Sequence, residues 1–489
     1  MITFCVSLVL LVVGYLFYSR FVGRVFGVDP SRPTPCQTLA DGVDFIPMPT
    51  WKVFLIQFLN IAGTGPIFGA IQGILFGPAA YLWIVLGCIF GGAVHDYLSG
   101  MISLRKGGMS LPELVGDEMG RGMRGVMIFV AMLLMILVGA VFVLTPAGLL
   151  ANLSQSWGAW GSTAVWMAVI FLYYILATLL PIDKLIGRVY PLFGLALLVM
   201  AAGLLIGLFT HPVAMPEITE AFSNHHPHSS MPIFPGLCIT IACGAVSGFH
   251  ATQSPMMARC LKNERLGRGV FYGAMITEGV VALIWAAAAI NVGTTNQGDG
   301  TPYEGLWQLM LTPEGAPNPA VLVNSICNSW MGKVGAVLAI LGVVAAPITS
   351  GDTALRSARL IAADALKIKQ NTLYKRLLVA VPIFAISGAL MFINFDILWR
   401  YFGFINQGMA AVTLWTITVY LARRQKLYWI SLVPAVWMTL VCTSYILIAP
   451  EGFQLLPWIA YATTGVVVVG LLIAFFIWLQ KKPQPHGTE

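Results

Sequence analysis

The chain has 489 residues, 58% of them hydrophobic and only 10% charged. A water-soluble domain carries roughly a quarter charged residues, so this balance excludes a soluble fold and marks an integral membrane protein. The net charge of +7 does not imply nucleic acid, because the basic residues gather in short hydrophilic loops between apolar runs.

About thirteen runs are long enough to cross a bilayer as helices, at 2–18, 51–76, 79–103, 124–147, 162–181, 189–210, 232–252, 268–292, 333–350, 376–394, 400–421, 428–448 and 457–479. Continuous runs of this kind specify an all-α bundle; a membrane barrel would show short alternating strands. The first run has no basic segment before it and no small-residue cleavage site after it, and is read as a retained helix. Loops following odd-numbered spans hold 25 of the 27 Lys and Arg residues, leaving only Lys333 and Arg400 on the other side. The positive-inside rule then puts the N-terminus outside and the C-terminus in the cytoplasm.

The second run contains Asn60-Ile61-Ala62-Gly63-Thr64-Gly65-Pro66. Glycine frees the backbone, and proline lacks an N–H and clashes with the preceding turn, so a broken helix is expected there. Backbone groups freed at membrane depth are tolerated only in protein or along a cavity, which makes the break a pointer to a binding site. The third run carries His95-Asp96. Segment 211–231 has His211, His225, His226 and His228 among prolines, a composition open to metal binding or pH sensing or to no function at all.

The seventh run repeats the pattern of the second. Ile241 to Pro255 is apolar, then interrupted at Gly244 and Gly248, then polar through Ser247, Thr252 and Gln253. Five spans separate the two starts, so spans 2–6 and 7–11 would run in opposite directions. Interrupted helices at matching positions of an inverted repeat mark the substrate site of a secondary transporter. The expected substrate-binding set is Asn60, Gly63, Thr64, Gly65, Gly244, Ser247, Gly248, Thr252 and Gln253. A substrate carboxylate would suit the half-helix N-terminus after Gly65.

Ionisable groups in the bilayer are costly and are functional candidates by default. His95, Asp96, His250, Glu278 and Asp352 are therefore the expected proton-coupling or gating residues, although Asp352 also stands four residues before Arg356 and would suit an ion pair. Asp396 and Arg400 share that spacing and read as a pair. Unwound carbonyls from Ala62 to Thr64, with the carbonyl of Ala346 and the hydroxyls of Thr349 and Ser350, offer an alternative Na⁺ site of hard oxygen ligands. The eight cysteines show no metal-ligand spacing and no disulfide framework. No G-x-x-x-x-G-K-[ST] segment is present, so ATP-driven transport within the chain is not expected.

The chain resembles the carbon starvation protein A (CstA) family from the first span to about the twelfth. The resemblance is carried by Tyr18-Ser19-Arg20-Phe21, Ser31-Arg32-Pro33-Thr34-Pro35, Ile61 to Pro66, Gly92-Ala93-Val94-His95-Asp96, Ile241 to Ala251 and Phe402-Gly403-Phe404-Ile405-Asn406-Gln407. It implies an inner-membrane nutrient transporter, with proton-coupled pyruvate uptake and peptide uptake as the two associated activities. It also implies a fold similar to the LeuT-like five-plus-five inverted repeat, where the topology argument also arrives.

On that layout residues 1–50 form an extra N-terminal helix and loop, 51–210 the first repeat, 211–231 an outer loop, 232–421 the second repeat, and 422–489 two extra helices and a tail. The expected activity is uptake of a small carboxylate, pyruvate first, coupled to H⁺; peptide import and Na⁺ coupling are the alternatives. A nutrient sensor, which the short tail disfavours, and a channel are weaker readings. No enzyme activity, cofactor or nucleic-acid partner is expected; the partners are a small-molecule substrate, the lipid bilayer and a homo-oligomer.

Overall fold

The computed structural model describes all residues except 43, 180–181, 228–230, 312–314, 316, 371, 394 and 482–489. Its architecture is helical throughout; among the described residues the β pairing is a single isolated bridge, Leu311 to Pro317. The helices that frame the site are α1 (Ile2–Phe26), α2 (Thr50–Ile61), α3 (Gly65–Phe76), α4 (Ala79–Arg105) and α5 (Arg121–Leu153). They continue as α6 (Thr163–Leu179), α7 (Ile182–Thr210), α8 (Ile233–Thr240), α9 (His250–Ala258) and α10 (Glu264–Thr295). Then follow α11 (Pro302–Met310), α12 (Pro319–Ala339), α13 (Ala345–Ala365), α14 (Leu373–Leu390), α15 (Phe395–Arg423), α16 (Trp429–Ile448) and α17 (Pro457–Gln480).

Ten helices among the described residues are long and apolar enough to span a membrane, and the α2–α3 pair, bent by 53°, makes eleven. The expected run 232–252 is two short pieces, α8 and the start of α9, separated by unwound chain. Neither half alone reaches the length that a bilayer requires. The expected run 333–350 begins just after a kink at Gly332 (φ 57°) and continues into α13.

Burial orders the bundle. In α4 and α10 the apolar window is 83% buried, whereas in α6 and α17 it is 17% buried. The first two are therefore central and the last two face the surrounding lipid with most of their side chains. α10 packs on both halves of the broken α2–α3 pair, α9 lies along α4, and α13 runs against α5. At one end of the bundle Glu217, in the segment after α7, accepts hydrogen bonds from the backbone N–H groups of Ile2 and Thr3 and from the N-terminal amine. At the other end Arg105 bonds Glu264 at 2.8 Å and the carbonyl of Gly27 at 2.6 Å. Both ends are thus stitched by charge-assisted bonds.

Candidate functional site

α2 stops at Ala62, whose φ and ψ of −83° and 52° leave the helical region, and α3 restarts at Gly65 with Pro66 in its first turn. Proline suits that place because the first N–H groups of a helix lack intrahelical partners. The carbonyls released at the end of α2 are not wasted: the Ser350 hydroxyl of α13 donates to those of Leu59 (3.2 Å) and Asn60 (3.0 Å). The second break begins at Ile241 and passes through Gly244 at φ 91° before α9 resumes at His250. That left-handed conformation is open to glycine and strained for other residues.

The two breaks meet. A Cβ built on Gly244 would stand 3.7 Å from Pro66 Cα, and one on Gly65 would overlap the Cys243 side chain. α4 is drawn against the same spot through Gly92, where a Cβ would collide with the Ala245 carbonyl. One turn beyond Gly92 on the same face stands Asp96, since i and i+4 share a helix face.

Asp96 is fully buried and bridges two histidines. Its Oδ1 lies 2.8 Å from His95 Nδ1 and its Oδ2 lies 2.9 Å from His250 Nδ1. The far nitrogen of His250 faces Glu278 Oε2 of α10 at 3.5 Å, close enough for charge attraction but misaligned for a hydrogen bond. The result is a continuous line, His95–Asp96–His250–Glu278, drawn from three helices and closed to solvent. Among the described residues several buried polar atoms of α2, the first break, α9 and α10 lack a partner in good hydrogen-bond geometry: both amide atoms of Asn60, the Thr64 hydroxyl, Gln253 Oε1 and both Glu278 oxygens. A buried unsatisfied polar atom costs about 1–3 kcal/mol, so a ligand that satisfies several of them here is favoured by the same amounts.

The residues expected from the sequence divide into groups. Gly65 and Gly244 stand where the two breaks touch. Gly63 instead faces Phe142 and Ser350, Gly248 packs on Asn406 and Met409 of α15, and Ser247 bonds Asn406. Asn60 and Thr64 are buried in the first break, and His95, Asp96, His250 and Glu278 form the polar line. Thr252 instead bonds the Phe249 carbonyl of its own helix at 2.7 Å, and Gln253 Nε2 donates to Thr252 at 2.8 Å. Asp352 belongs to a different network, accepting from Tyr190 at 2.6 Å, while Arg356 donates to the Ala177 carbonyl. Of the oxygen set, Ser350 reaches the first break, but the Ala346 carbonyl already accepts the Thr349 hydroxyl at 2.8 Å.

The described histidines of segment 211–231 pack on separate rings, His211 on Trp330, His225 on Tyr303 and His226 on Trp307; His228 lies outside the described residues. Arg400 faces Glu451 at 3.5 Å, and the Asp396 side chain also lies outside the described residues.

Sequence reasoning gave no role to Asn406, Cys243 or Tyr190, and read Arg400 only as a partner of Asp396. Asn406 Oδ1 accepts from the Phe249 N–H at 2.7 Å and its Nδ2 donates to Ser247 at 3.1 Å, so α15 holds the second break open. A buried asparagine in an apolar run was the available signal. A cavity of about 620 Å³ reaches inward from the Glu217 end, lined by Gln72, Thr240, Trp307, Trp399, Arg400 and Tyr445. On the opposite side a cavity of about 30 Å³ lies at Thr252, Arg259, Ser357 and Asp364.

The sequence matches the family model described as carbon starvation protein CstA over residues 1–165, 159–299 and 309–445. The chain belongs to the CstA family. An uncharacterized membrane protein of Haemophilus influenzae is 46% identical over 333 residues, covering 59% of this chain and 89% of that one. The pyruvate/proton symporter BtsT of Escherichia coli K12 is 27% identical, covering 89% and 79% of the two chains. The peptide transporter CstA of the same organism is 25% identical over the same shares. A crystal structure of a mutant Eremococcus coleocola manganese transporter aligns with TM-score 0.54 at 12% identity, over 91% of this chain and 99% of that one, which shows a shared fold. Relatives in the family include a peptide transporter and a pyruvate/proton symporter, and this chain, with its membrane-spanning helices, is a membrane protein.

Proposed function

We propose that this protein is a secondary active importer of a small carboxylate, pyruvate first, driven by protons and working by alternating access around its two broken helices. The observation that carries this reading is the sealed line His95–Asp96–His250–Glu278 at the junction of both breaks. Carboxylates and imidazoles buried at membrane depth are expensive and serve as proton relays in transporters. His250 stands between two carboxylates from different helices, so a proton on it couples the positions of α4, α9 and α10. Any movement that parts Asp96 from His250 changes where the proton is held.

The substrate carboxylate would rest on the N–H groups opening α3, with Asn60 and Thr64 supplying neutral hydrogen bonds, because the positive end of a helix dipole favours an anion. Arg400 in the outer cavity would draw anions inward. The unequal cavities on the two sides support a state open toward the Glu217 end, taken as the outside together with the N-terminus. A LeuT-like arrangement of 51–210 and 232–421, within about thirteen spans, accommodates both breaks at matching positions.

Peptide import is the second reading, favoured by the relatives named peptide transporters and by the two Glu278 oxygens, which lack a well-aligned hydrogen-bond partner and suit an amine. Labelled pyruvate uptake into proteoliposomes, with pH gradient and Na⁺ varied separately, tests the choice. Concentrative uptake that follows the proton gradient and disappears in Glu278→Gln is expected. No pyruvate flux under either gradient, with dipeptide flux present, would replace the substrate; accumulation driven by Na⁺ alone would replace the coupling ion by one held at Ala62, Thr64, Ala346, Thr349 and Ser350.

A further inference from the structure

The Cys243 sulfur, a ring nitrogen of His250 and a carboxylate oxygen of Glu278 lie within 4.8 Å of one another, and all three residues are buried. Because His250 Nδ1 is engaged by Asp96, the nitrogen turned toward this point is Nε2, 3.5 Å from Glu278 Oε2. Among the described residues neither that nitrogen nor either Glu278 oxygen has a partner in good hydrogen-bond geometry, although the Gly244 backbone N–H lies against Glu278 and the Cys243 side chain against His250. We propose that Cys243, His250 and Glu278 form a binding site for a borderline-soft divalent cation, Zn²⁺ foremost, at the meeting of the two broken helices.

Four features of the geometry carry the assignment. The donor set is one thiolate, one imidazole and one carboxylate, which suits Zn²⁺ or Co²⁺ better than the hard cations Mg²⁺ and Ca²⁺. Tetrahedral zinc with bonds of about 2.0–2.3 Å sets its ligand atoms roughly 3.3–3.7 Å apart, a spacing His250 and Glu278 already have. Only the thiol has to close, by on the order of 1 Å. Metal-bound histidine nearly always gives its other ring N–H to a carboxylate, which fixes the tautomer and the ring orientation. Asp96, itself held by His95, occupies that outer position. Finally, a thiolate and a carboxylate balance the two charges of the cation within the ligand set itself, in a setting closed to water. Three protein ligands leave one tetrahedral position open.

Binding removes the thiol proton, so affinity rises with pH. Where the proton-coupling reading of His250 and Glu278 holds, bound Zn²⁺ also occupies the atoms the proton uses and blocks concentrative uptake. The binding itself does not rest on that reading, and its primary readout is the cobalt spectrum.

Purified full-length protein in detergent is titrated with Co²⁺ as a spectroscopic substitute for Zn²⁺. A thiolate-to-cobalt band in the near ultraviolet, with tetrahedral bands in the visible, is expected, and stoichiometric Zn²⁺ should abolish both. Cys243→Ser should remove the near-ultraviolet band. Asp96→Asn should keep that band but weaken cobalt affinity by about 10–100-fold, the usual cost of losing an outer partner of a ligating histidine. Should Cys243→Ser fail to fold, Asp96→Asn decides alone. Absence of the band in the unmodified protein at saturating Co²⁺, its persistence in Cys243→Ser, or unchanged affinity in Asp96→Asn overturns the site. Uptake without cobalt bands would do so while leaving the transport proposal standing, and bands in a protein that transports nothing would do the reverse.

Discussion

Gly92→Ala is the most searching single substitution in this molecule. Its new methyl would collide with the Ala245 carbonyl and lie 2.8 Å from Met275 Cε. An ordinary carbon–oxygen contact begins near 3.4 Å. α4 and the unwound chain must therefore part by about 1 Å, at the overpacking cost of about 1–3 kcal/mol typical of a filled core. Asp96 lies on the same face one turn away, so its 2.9 Å contact with His250 would open toward 3.9 Å, past hydrogen-bond reach.

A hydrogen bond to a charged group contributes about 1.5–3 kcal/mol, so on the proposed proton-coupled mechanism the coupled step should slow by roughly tenfold to a hundredfold. Global stability is a blunter gauge. At about 2.1 cal/mol/K of unfolding entropy per residue, a chain this long loses only roughly 1 °C of Tm per kcal/mol. The informative assay is proton-driven uptake in proteoliposomes at matched protein density, beside Gly470→Ala. Gly470 is an exposed helical glycine with nothing within 4 Å of a built Cβ, where alanine should gain up to about 1 kcal/mol. Equal uptake in the two variants would refute the claim that the α4 contact positions Asp96.

Two other outcomes follow from the same geometry. Asn406→Ala strands the Ser247 hydroxyl and the Phe249 N–H, so it should destabilise the protein by about 1–3 kcal/mol per unpaired group and reduce uptake, whereas Asn406→Asp, which keeps the acceptor, should retain more of both. Equal damage in the two variants would count against the acceptor role. Glu217 is drawn down to about 2: its partial burial acts upward, but bonds from the N-terminal amine and Thr3 outweigh it. A lowered carboxylate pKa means that the stabilisation is complete above the ordinary value near 4.5 and is lost as pH falls from there toward 2. Thermal melts across that window should therefore slope less in Glu217→Gln than in the unmodified protein, and parallel slopes would refute the assignment.

Much of the architecture was legible in the residues themselves, because lipid imposes constraints that act locally. A backbone crossing hydrocarbon must satisfy its own hydrogen bonds, so apolar length alone specifies helices. Gly63, Gly65 and Pro66, and again Gly244 and Gly248, announce their breaks through steric properties that no neighbour can reverse. The rarity of ionisable side chains in the apolar runs singled out Asp96, His250 and Glu278 before their partners were known.

What the residues did not disclose is which groups touch. Asp96 and His250 are 154 positions apart, and their contact exists only because Gly92 admits α4 to the second break. Asp352, equally conspicuous as a buried acid, was drawn by the same packing to Tyr190 and away from the line. Asn406 sits in a plain apolar helix, and its role as the brace of Ser247 and Phe249 arises from a helix that arrives late in the chain. Cys243 becomes a candidate ligand only when Gly65 lets the two broken helices close on each other. Local chemistry chose the breaks and the charges; the close approach of glycines across helices, a property of packing alone, decided which of them became neighbours.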